Sequence, residues 1–474
     1  MTRPTLILGL ALASVVASTM ANASERPHYG GELRLLIPST ALDLERFDPL
    51  QARTPLDLVL VRTACEPLLT EDPTGVQPRL LLAPEGDPHG RSLALRLRAG
   101  LRFSNGTPLR AREVVESLSR LAAPDSPMRA LLLPVAGGAG LSARSETEIV
   151  AALDFPYPDW PLGLTHPSAC PVASAHGKVV GWSGPFIPEG KVASPVTRLD
   201  ANPEAPEGRP FADRFIVRTI SSRANASRSL ASGGAELSAL PVAETKAVDG
   251  PLSVATYLVV NATRPGLADL PTRLASSLDR TELVRTYVRS PATPLYGLIA
   301  PSVEPHPVAA PVLGGAARLA LPLEGELLVE FGQDEQRAVA ERLQVKLHDL
   351  GADLKVVALP RTDLFGRLAR GEYDAALATV PAIPEAGLNL AQVLLLGGLA
   401  DVAKAELTRI GAIADAPGRR EQASSRARAL ATTVPVLPLY AQGTSIAVRP
   451  GVVGLHFDPS GVFDPGDLWL LDAR

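Results

Sequence analysis

The stretch Ser92–Leu121, SLALRLRAGLRFSNGTPLRAREVVESLSRL, changes its hydrophobic period once along its length. Its first part alternates apolar and polar residues from Leu93 to Leu97, which predicts a half-buried strand. The pair Asn105-Gly106 suits the positive φ angles of a tight turn. From Ala111 onward the apolar residues fall on one helical face. The stretch therefore predicts a strand, a tight turn and an amphipathic helix within one unit.

The composition bounds the class of protein. The chain has 474 residues, enough for about two or three domains. Hydrophobic residues make up 46%, so a large core is expected. The formal net charge is −4 and no basic cluster stands out, which argues against a nucleic-acid surface. The 45 Pro and 39 Gly indicate many loops and short connections.

Residues 1–23 have the pattern of a secretory signal peptide. Arg3 is basic, the segment from Leu6 to Ala17 is apolar, and Ala21-Asn22-Ala23 fits a cleavage site. The apolar run is too short for a comfortable membrane span, although an uncleaved anchor is the alternative. We therefore expect cleavage after Ala23 and export of the mature protein.

The chain has two cysteines, Cys65 and Cys170. An oxidising compartment would let them form a disulfide, and the alternative is two separately buried thiols. Cys170 also lies between His166 and His176, types of residue that bind zinc. A fourth ligand is not evident, so we expect no metal site, and no motif suggests a cofactor.

The stretch quoted first resembles a segment of the family 5 extracellular solute-binding proteins, the peptide- and nickel-binding receptors of bacterial ABC importers. The match rests on Phe103, Gly106, Thr107-Pro108-Leu109, Ala111, Val114-Val115 and Ser117-Leu118. Further segments are similar to the family in the same order, among them Val179–Phe186 (VVGWSGPF), Gly371–Leu377 (GEYDAAL) and Val434–Tyr440 (VPVLPLY). The resemblance covers nearly the whole mature chain.

The resemblance implies an α/β fold, a two-lobed periplasmic binding protein of the class II or cluster C type, with a subdomain inserted in the first lobe. It places residues 24–54, 180–265 and 431–474 in lobe I, residues 55–179 in the inserted subdomain and residues 266–430 in lobe II. The hydrophobic pattern of Leu327–Val357 independently predicts a βαβ unit within lobe II.

The resemblance also implies a function, which is capture of a peptide-like or related small solute by lobe closure and delivery to a membrane ABC permease formed by separate chains. The residues that it places in the ligand cleft are Asp57, Trp182, Ser183, Gly184, Tyr257, Thr379, Val380 and Pro381. One feature departs from the family. Many peptide receptors of this family carry an Asp after the strand matched here by Ala375–Leu377, and it pairs with the peptide's amino group. Here the nearest carboxylate is Glu385, which puts capture of a free amine in doubt.

Three alternatives stay open. The same fold could bind nickel or a metal chelate, or the chain could be a degenerate homologue that acts as an interaction or sensory partner without transport. A secreted hydrolase is the third, but the sequence contains no H-E-x-x-H, G-x-S-x-G or Walker A motif. We therefore expect a monomeric binding protein without enzyme activity.

Overall fold

The structure is a computed structural model. It describes residues 26–38, 47–72, 74–87, 90–137, 140–176, 178–189, 196–242, 245–304, 308–315, 317–319 and 322–471. The predicted signal peptide and its cleavage site lie outside the described residues.

The described residues form 23 strands and 11 α-helices. The strands are β1 (Glu32–Pro38), β2 (Leu69–Asp72), β3 (Gly75–Pro78), β4 (Glu85–Gly86), β5 (Ser92–Arg96), β6 (Leu141–Ala143), β7 (Glu148–Ala152), β8 (Ala173–Ala175), β9 (Lys178–Gly181), β10 (Phe186–Pro188), β11 (Val196–Ala201), β12 (Arg214–Ile220), β13 (Leu237–Ser238), β14 (Ala247–Asp249), β15 (Val254–Val260), β16 (Ala292–Pro294), β17 (Leu323–Glu330), β18 (Ala352–Leu359), β19 (Ala375–Pro381), β20 (Val436–Gln442), β21 (Ser445–Val448), β22 (Val452–Val453) and β23 (Trp469–Leu470). The helices are α1 (Pro55–Ala64), α2 (Ala111–Leu121), α3 (Trp160–Gly163), α4 (Arg223–Ala231), α5 (Leu270–Ser277), α6 (Arg280–Tyr287), α7 (Asp334–Asp349), α8 (Arg361–Arg370), α9 (Ala386–Leu396), α10 (Ala400–Gly411) and α11 (Ala416–Leu430).

Lobe I is built on a seven-stranded sheet with the order β10-β11-β12-β1-β13-β21-β14. Strand β1 is parallel to both of its neighbours, β12 and β13. Its side chains alternate between two cores, because Leu33 and Leu35 pack with α1 on one face while Leu36 packs with α4 on the other. The sheet is therefore covered by a helix on each face.

The inserted subdomain, residues 68–169, contains the four-stranded sheet β4-β5-β7-β6 and helix α2. The predicted strand, turn and helix are confirmed here. Strand β5 and helix α2 pack in one core, and Gly106 in the turn has a φ of 79°. Only glycine adopts this backbone conformation readily, which is why the Asn-Gly pair occurs at this position.

Lobe II, residues 254–442, is built on a six-stranded sheet with the order β16-β20-β15-β19-β17-β18. Strand β17 runs parallel to β18 and to β19. Helix α7 packs on one face of this sheet, and helices α8 and α9 pack on the other. The predicted βαβ unit is confirmed as β17, α7 and β18.

The structure corrects the predicted domain limits. Strands β15 and β20 belong to the sheet of lobe II, so the chain crosses between the lobes at residues 250–253 and 443–444, not at 265 and 431. Helix α1 packs in the core of lobe I, whereas the resemblance places it in the inserted subdomain. Both strands are buried along their whole length, and such uniform apolar runs do not show which sheet they join.

Candidate functional site

The sheet of lobe II has a topological switch point at β17. Helix α7 leaves the carboxyl end of β17 toward one face, and α8, which leads from β18 to β19, lies on the opposite face. In open α/β sheets, ligands bind in the crevice that forms at such a point beyond the carboxyl ends of the strands. We call this region the switch-point crevice. It is formed by Glu330 of β17, Gln336 of α7, Arg361 of α8 and Thr379 of β19.

Lobe I closes over the switch-point crevice with the residues that precede α1. The Arg53 Nε atom lies 2.8 Å from Glu330 Oε1, and Arg361 Nη1 donates to Glu330 Oε2 at 2.9 Å. Arg361 Nη2 also donates to the carbonyl oxygen of Ala52 at 3.3 Å. One carboxylate of lobe II is thus held between two guanidinium groups, one from each lobe, and the lobes are closed on each other.

Predicted residue Asp57 lies at the lobe I side of this contact. Its carboxylate accepts the backbone N–H groups of Arg53 at 3.2 Å and Thr54 at 3.0 Å, and Thr54 Oγ1 accepts the N–H of Asp57 in return. This is a capping box at the start of α1. Burial lowers the pKa of Arg361, while the charges of Glu330 and Asp57 act to raise it. Asp57 therefore helps to cap the start of α1 and contributes negative charge to the crevice.

Predicted residue Thr379 lies in the switch-point crevice within a polar network. Its hydroxyl is 2.8 Å from the hydroxyl of Thr256 and accepts from Gln336 Nε2 at 3.1 Å. Gln336 Oε1 accepts the backbone N–H of Glu330 at 2.6 Å. Thr379 is half-buried, and its hydroxyl is held in place by Thr256 and Gln336.

The two predicted residues that follow, Val380 and Pro381, end strand β19. Val380 is 1% exposed, and the Pro381 carbonyl accepts from Gln392 Nε2 at 2.9 Å. Predicted residue Tyr257 is fully buried, donates its hydroxyl to the Leu298 carbonyl at 2.9 Å, and has a pKa raised by burial. These three residues shape the sheet beneath the crevice, and a direct ligand contact for them stays a prediction.

The predicted group Trp182, Ser183 and Gly184 lies at the opposite end of α1. Gly184 donates its N–H to the Ala64 carbonyl at 2.8 Å, and a Cβ atom at position 184 would lie 2.3 Å from the Ala64 carbonyl carbon. Helix α1 is about 15 Å long, since each of its ten residues adds about 1.5 Å. The structure therefore does not bring this group to the switch-point crevice. A glycine is required at position 184 because the backbones of residues 64 and 184 approach each other closely.

The side chains of Trp182 and Ser183 are buried within the protein. Ser183 Oγ accepts the N–H of Glu66 at 3.2 Å and donates to the Pro171 carbonyl at 3.1 Å. Trp182 is 7% exposed, and its Nε1 has no acceptor among the described residues. A stacking contact between Trp182 and a ligand therefore stays a prediction.

Cys65 and Cys170 form a disulfide in the structure, with their Cα atoms 6.0 Å apart. The bond joins the end of α1 to the segment that returns from the inserted subdomain. Cys170 is therefore engaged in this bond, and across the described ranges no group of three His, Cys, Asp or Glu residues could hold a metal ion.

The first carboxylate after β19 in the chain, Glu385, is occupied by protein donors. It accepts the Tyr157 hydroxyl at 2.6 Å and the backbone N–H groups of Gly387 and Leu388 at 3.0 and 2.7 Å. Burial raises the pKa of Glu385, and these hydrogen bonds oppose that change. Glu385 thus caps α9 and ties lobe II to the inserted subdomain.

The motifs of the sequence do not predict Arg53, Glu330 or Arg361 as site residues. A carboxylate at the end of strand β17 and a basic residue directly after strand β18 are visible signals for the lobe II pair. The contribution of lobe I has no local signal, because Arg361 and Ala52 are 309 positions apart.

The fold and this crevice define a two-lobed binding protein, and comparison with known sequences identifies its family. Residues 75–393 match the family described as bacterial extracellular solute-binding proteins, family 5 Middle. The match covers more than half of the chain, so the chain belongs to this family. No curated protein matches it.

Solved structures of ABC-type binding proteins resemble this fold over nearly its whole length. DppA from Helicobacter pylori, in complex with the peptide STSA, is 15% identical with a TM-score of 0.73, covering 94% of this chain and 99% of that one. AgaA in complex with agropinic acid, from A. tumefacien R10, is 17% identical with a TM-score of 0.72 over 94% and 99%. NikA from Staphylococcus aureus, in complex with Ni(L-His)2, is 15% identical with a TM-score of 0.66 over 93% and 99%. Identities this low show a shared fold only.

Among the described residues, no helix combines the length and apolar character that a membrane crossing requires.

Proposed function

We propose that the protein is the substrate-binding component of an ABC importer and captures a small solute in the switch-point crevice by closure of lobe II on lobe I. The observation that carries the proposal is the contact of Arg53 from lobe I with Glu330 from lobe II at the carboxyl ends of the strands. Two chain crossings join the lobes, which suits a hinge, and hinge closure around a ligand is a common binding mechanism.

The nature of the solute follows from the family and its relatives. DppA and AgaA hold a peptide and agropinic acid, which supports a peptide-like or related small solute here. NikA holds Ni(L-His)2, so a metal chelate is the alternative solute for the same fold. The proposal includes export to the periplasm after cleavage at Ala23, a monomer, a separate membrane permease and no catalytic step.

A degenerate homologue that no longer transports is the second candidate, and one observation favours it. A single apolar core runs from the inserted subdomain, with Leu131 and Trp160, into lobe II, with Ile383 and Leu388. All residues of α9 are buried in this core. Opening the lobes would expose part of this apolar surface to water. The exposure would cost about 25 cal/mol of free energy per Å². A protein that stays closed would bind solutes poorly.

Native mass spectrometry of the protein purified from its own host separates the two candidates. We expect a bound small molecule in the wild-type protein and in Thr408→Trp, which changes an exposed residue on α10. Thr379→Trp should lose the molecule, because the larger side chain fills the crevice. Absence of any bound molecule from all three proteins, with no change in shape upon addition of solutes, would favour the degenerate homologue.

A further inference from the structure

A cavity of about 510 Å³ lies in lobe I, and it shares no lining residue with the switch-point crevice. It is bordered by β14 and β21, at one edge of the seven-stranded sheet, and by the segment from Pro450 to His456. Strand β21 begins directly after the chain crossing at 443–444 and ends at Val448, about 13 Å further on at about 3.3 Å per residue. The cavity therefore extends toward the end of β21 that is remote from the crossings between the lobes.

The walls of this cavity are apolar side chains that the core of lobe I covers only in part. Leu455 is buried in that core, and the other apolar wall residues are half-buried valines from β14, β21 and β22, namely Val248, Val448, Val452 and Val453. We call this region the valine cavity. Cavities of about 300 to 1,000 Å³ with mainly apolar walls and a few polar groups are typical of small-molecule sites. The valine cavity therefore suits the apolar part of a small organic molecule.

The charged groups of the valine cavity are all basic. Its lining includes Lys246, Arg449 and His456, and it includes no carboxylate among the described residues. Lys246 and His456 are exposed, and Arg449 is half-buried. A molecule with an apolar body and one anionic group would complement both the walls and these side chains.

Arg449 is only weakly paired within the protein. Its Nη2 atom lies 3.4 Å from Oε1 of the buried Glu236, which is longer than a usual hydrogen bond. Arg34 holds the same carboxylate more closely, with its Nε at 2.9 Å and its Nη2 at 2.8 Å. The Nε atom of Arg449 has no acceptor among the described residues. Two guanidinium groups thus share one carboxylate, and Arg449 keeps positive charge that an anion in the cavity would balance.

We propose that the valine cavity is a second binding site, separate from the crevice, and that it takes a small organic acid. The apolar chain of this acid lies against the valines, and Lys246 and Arg449 bind its carboxylate. Charge-assisted hydrogen bonds from such groups are among the stronger polar contacts in proteins. All described lining residues belong to lobe I, so binding here does not depend on closure of the lobes. The inference therefore goes beyond the proposed function.

Calorimetry with three probes tests the site. Octanoate has the chain and the charge, octanol has the chain only, and acetate has the charge only. We expect octanoate to bind about tenfold or more tighter than either of the other two. Lys246→Gln combined with Arg449→Gln should reduce the octanoate-to-octanol ratio to about one, and Arg34 keeps Glu236 paired in this variant. Lys246→Gln alone changes an exposed residue and should lower octanoate affinity about threefold.

Two further variants and a control locate the bound acid. Val453→Trp fills the cavity and should abolish octanoate binding, whereas Thr379→Trp in the crevice should leave it unchanged. Lys355→Gln, an exposed lysine of β18, is the matched control and should keep the wild-type ratio.

Several results would overturn the inference. These are equal binding of octanoate and octanol by the wild type, no binding of any probe, and loss of octanoate binding in Thr379→Trp but not in Val453→Trp. Binding to phosphatidylglycerol vesicles without binding of free octanoate would also overturn it, because the basic residues would then serve a membrane surface. Each of these results leaves solute capture in the crevice to its own test by native mass spectrometry.

Discussion

His166 shows how burial decides the state of a single side chain. It is fully buried, and its Nδ1 accepts the N–H of Ser168 at 3.0 Å at the start of the short 3-10 helix Pro167–Ala169. Burial lowers its pKa to about 3. The ring is therefore neutral at physiological pH and serves as a helix cap, where the sequence alone also allowed a weak metal-ligand role.

The lowered pKa of His166 predicts a loss of stability in acid. The unfolded state binds a proton below about pH 6.5 and the folded state only near pH 3, so the free energy of unfolding should fall as the pH falls from 6.5 toward 3. The slope from this group is about 1.4 kcal/mol per pH unit. Urea unfolding between pH 4 and 7 should show a shallower slope for His166→Asn than for the wild type.

His176→Asn is the matched control, because His176 is exposed and its φ of 52° suits asparagine. In this control, the unfolding free energy should change with pH as steeply as in the wild type. Equal slopes for the wild type and His166→Asn would show that His166 titrates normally in the folded protein.

Helix α1 connects the two groups of residues predicted for the site. Its first turn, capped by Asp57, faces the switch-point crevice, and its last residue, Ala64, packs against Gly184. The disulfide begins one residue later, at Cys65. A helix anchored at both ends holds its crevice end in a fixed position, so the disulfide supports the site at a distance.

Removal of the disulfide should destabilise the fold without removing the crevice. The bond spans 105 residues, and loop closure of that length corresponds to about 4 to 5 kcal/mol in the chain-entropy model. The double variant Cys65→Ser with Cys170→Ser should therefore lose about this amount of unfolding free energy in urea. Dithiothreitol should lower the stability of the wild type toward that of the double variant and should not affect the variant. Identical urea unfolding curves of the wild type with and without dithiothreitol would contradict a stabilising role of the disulfide.

The two lobes and the inserted subdomain meet through both apolar and charged contacts. Arg419 of lobe II pairs with Asp159 of the subdomain through two hydrogen bonds of 2.6 Å, and Lys404 pairs with Asp154 at 2.5 Å. The Arg419 side chain is only 6% exposed. Such a buried charge is costly when its partner is removed. The closed arrangement thus depends on charges that must separate before the lobes can open.

Asp159→Asn should favour the open arrangement. Loss of the carboxylate leaves Arg419 buried with only carbonyl acceptors, so we expect about 2 kcal/mol less stability and a larger radius of gyration in X-ray scattering. Glu341→Gln removes an exposed ion pair within α7 and should change neither quantity. An unchanged radius of gyration in Asp159→Asn, together with reduced stability, would show that this pair stabilises the fold without controlling the lobes.

Local features of the fold could be predicted from the sequence, because hydrophobic period and turn residues act over a few positions. Strand β5, the turn at Gly106, helix α2 and the unit of β17, α7 and β18 are examples. The family and its two-lobed architecture also followed from the sequence, through motifs that keep their order along the chain.

Only the tertiary structure decided which strands join which lobe and which residues meet in the crevice. Strands β15 and β20 are buried along their whole length, so their partners depend on the whole sheet. Thr379 bonds to Gln336 at the carboxyl edge of the lobe II sheet, whereas Gly184 packs at the far end of α1. Arg53 and Glu330 meet only because two distant segments close on each other. The strength of that ion pair depends on burial, which is a property of the folded chain and not of its sequence pattern.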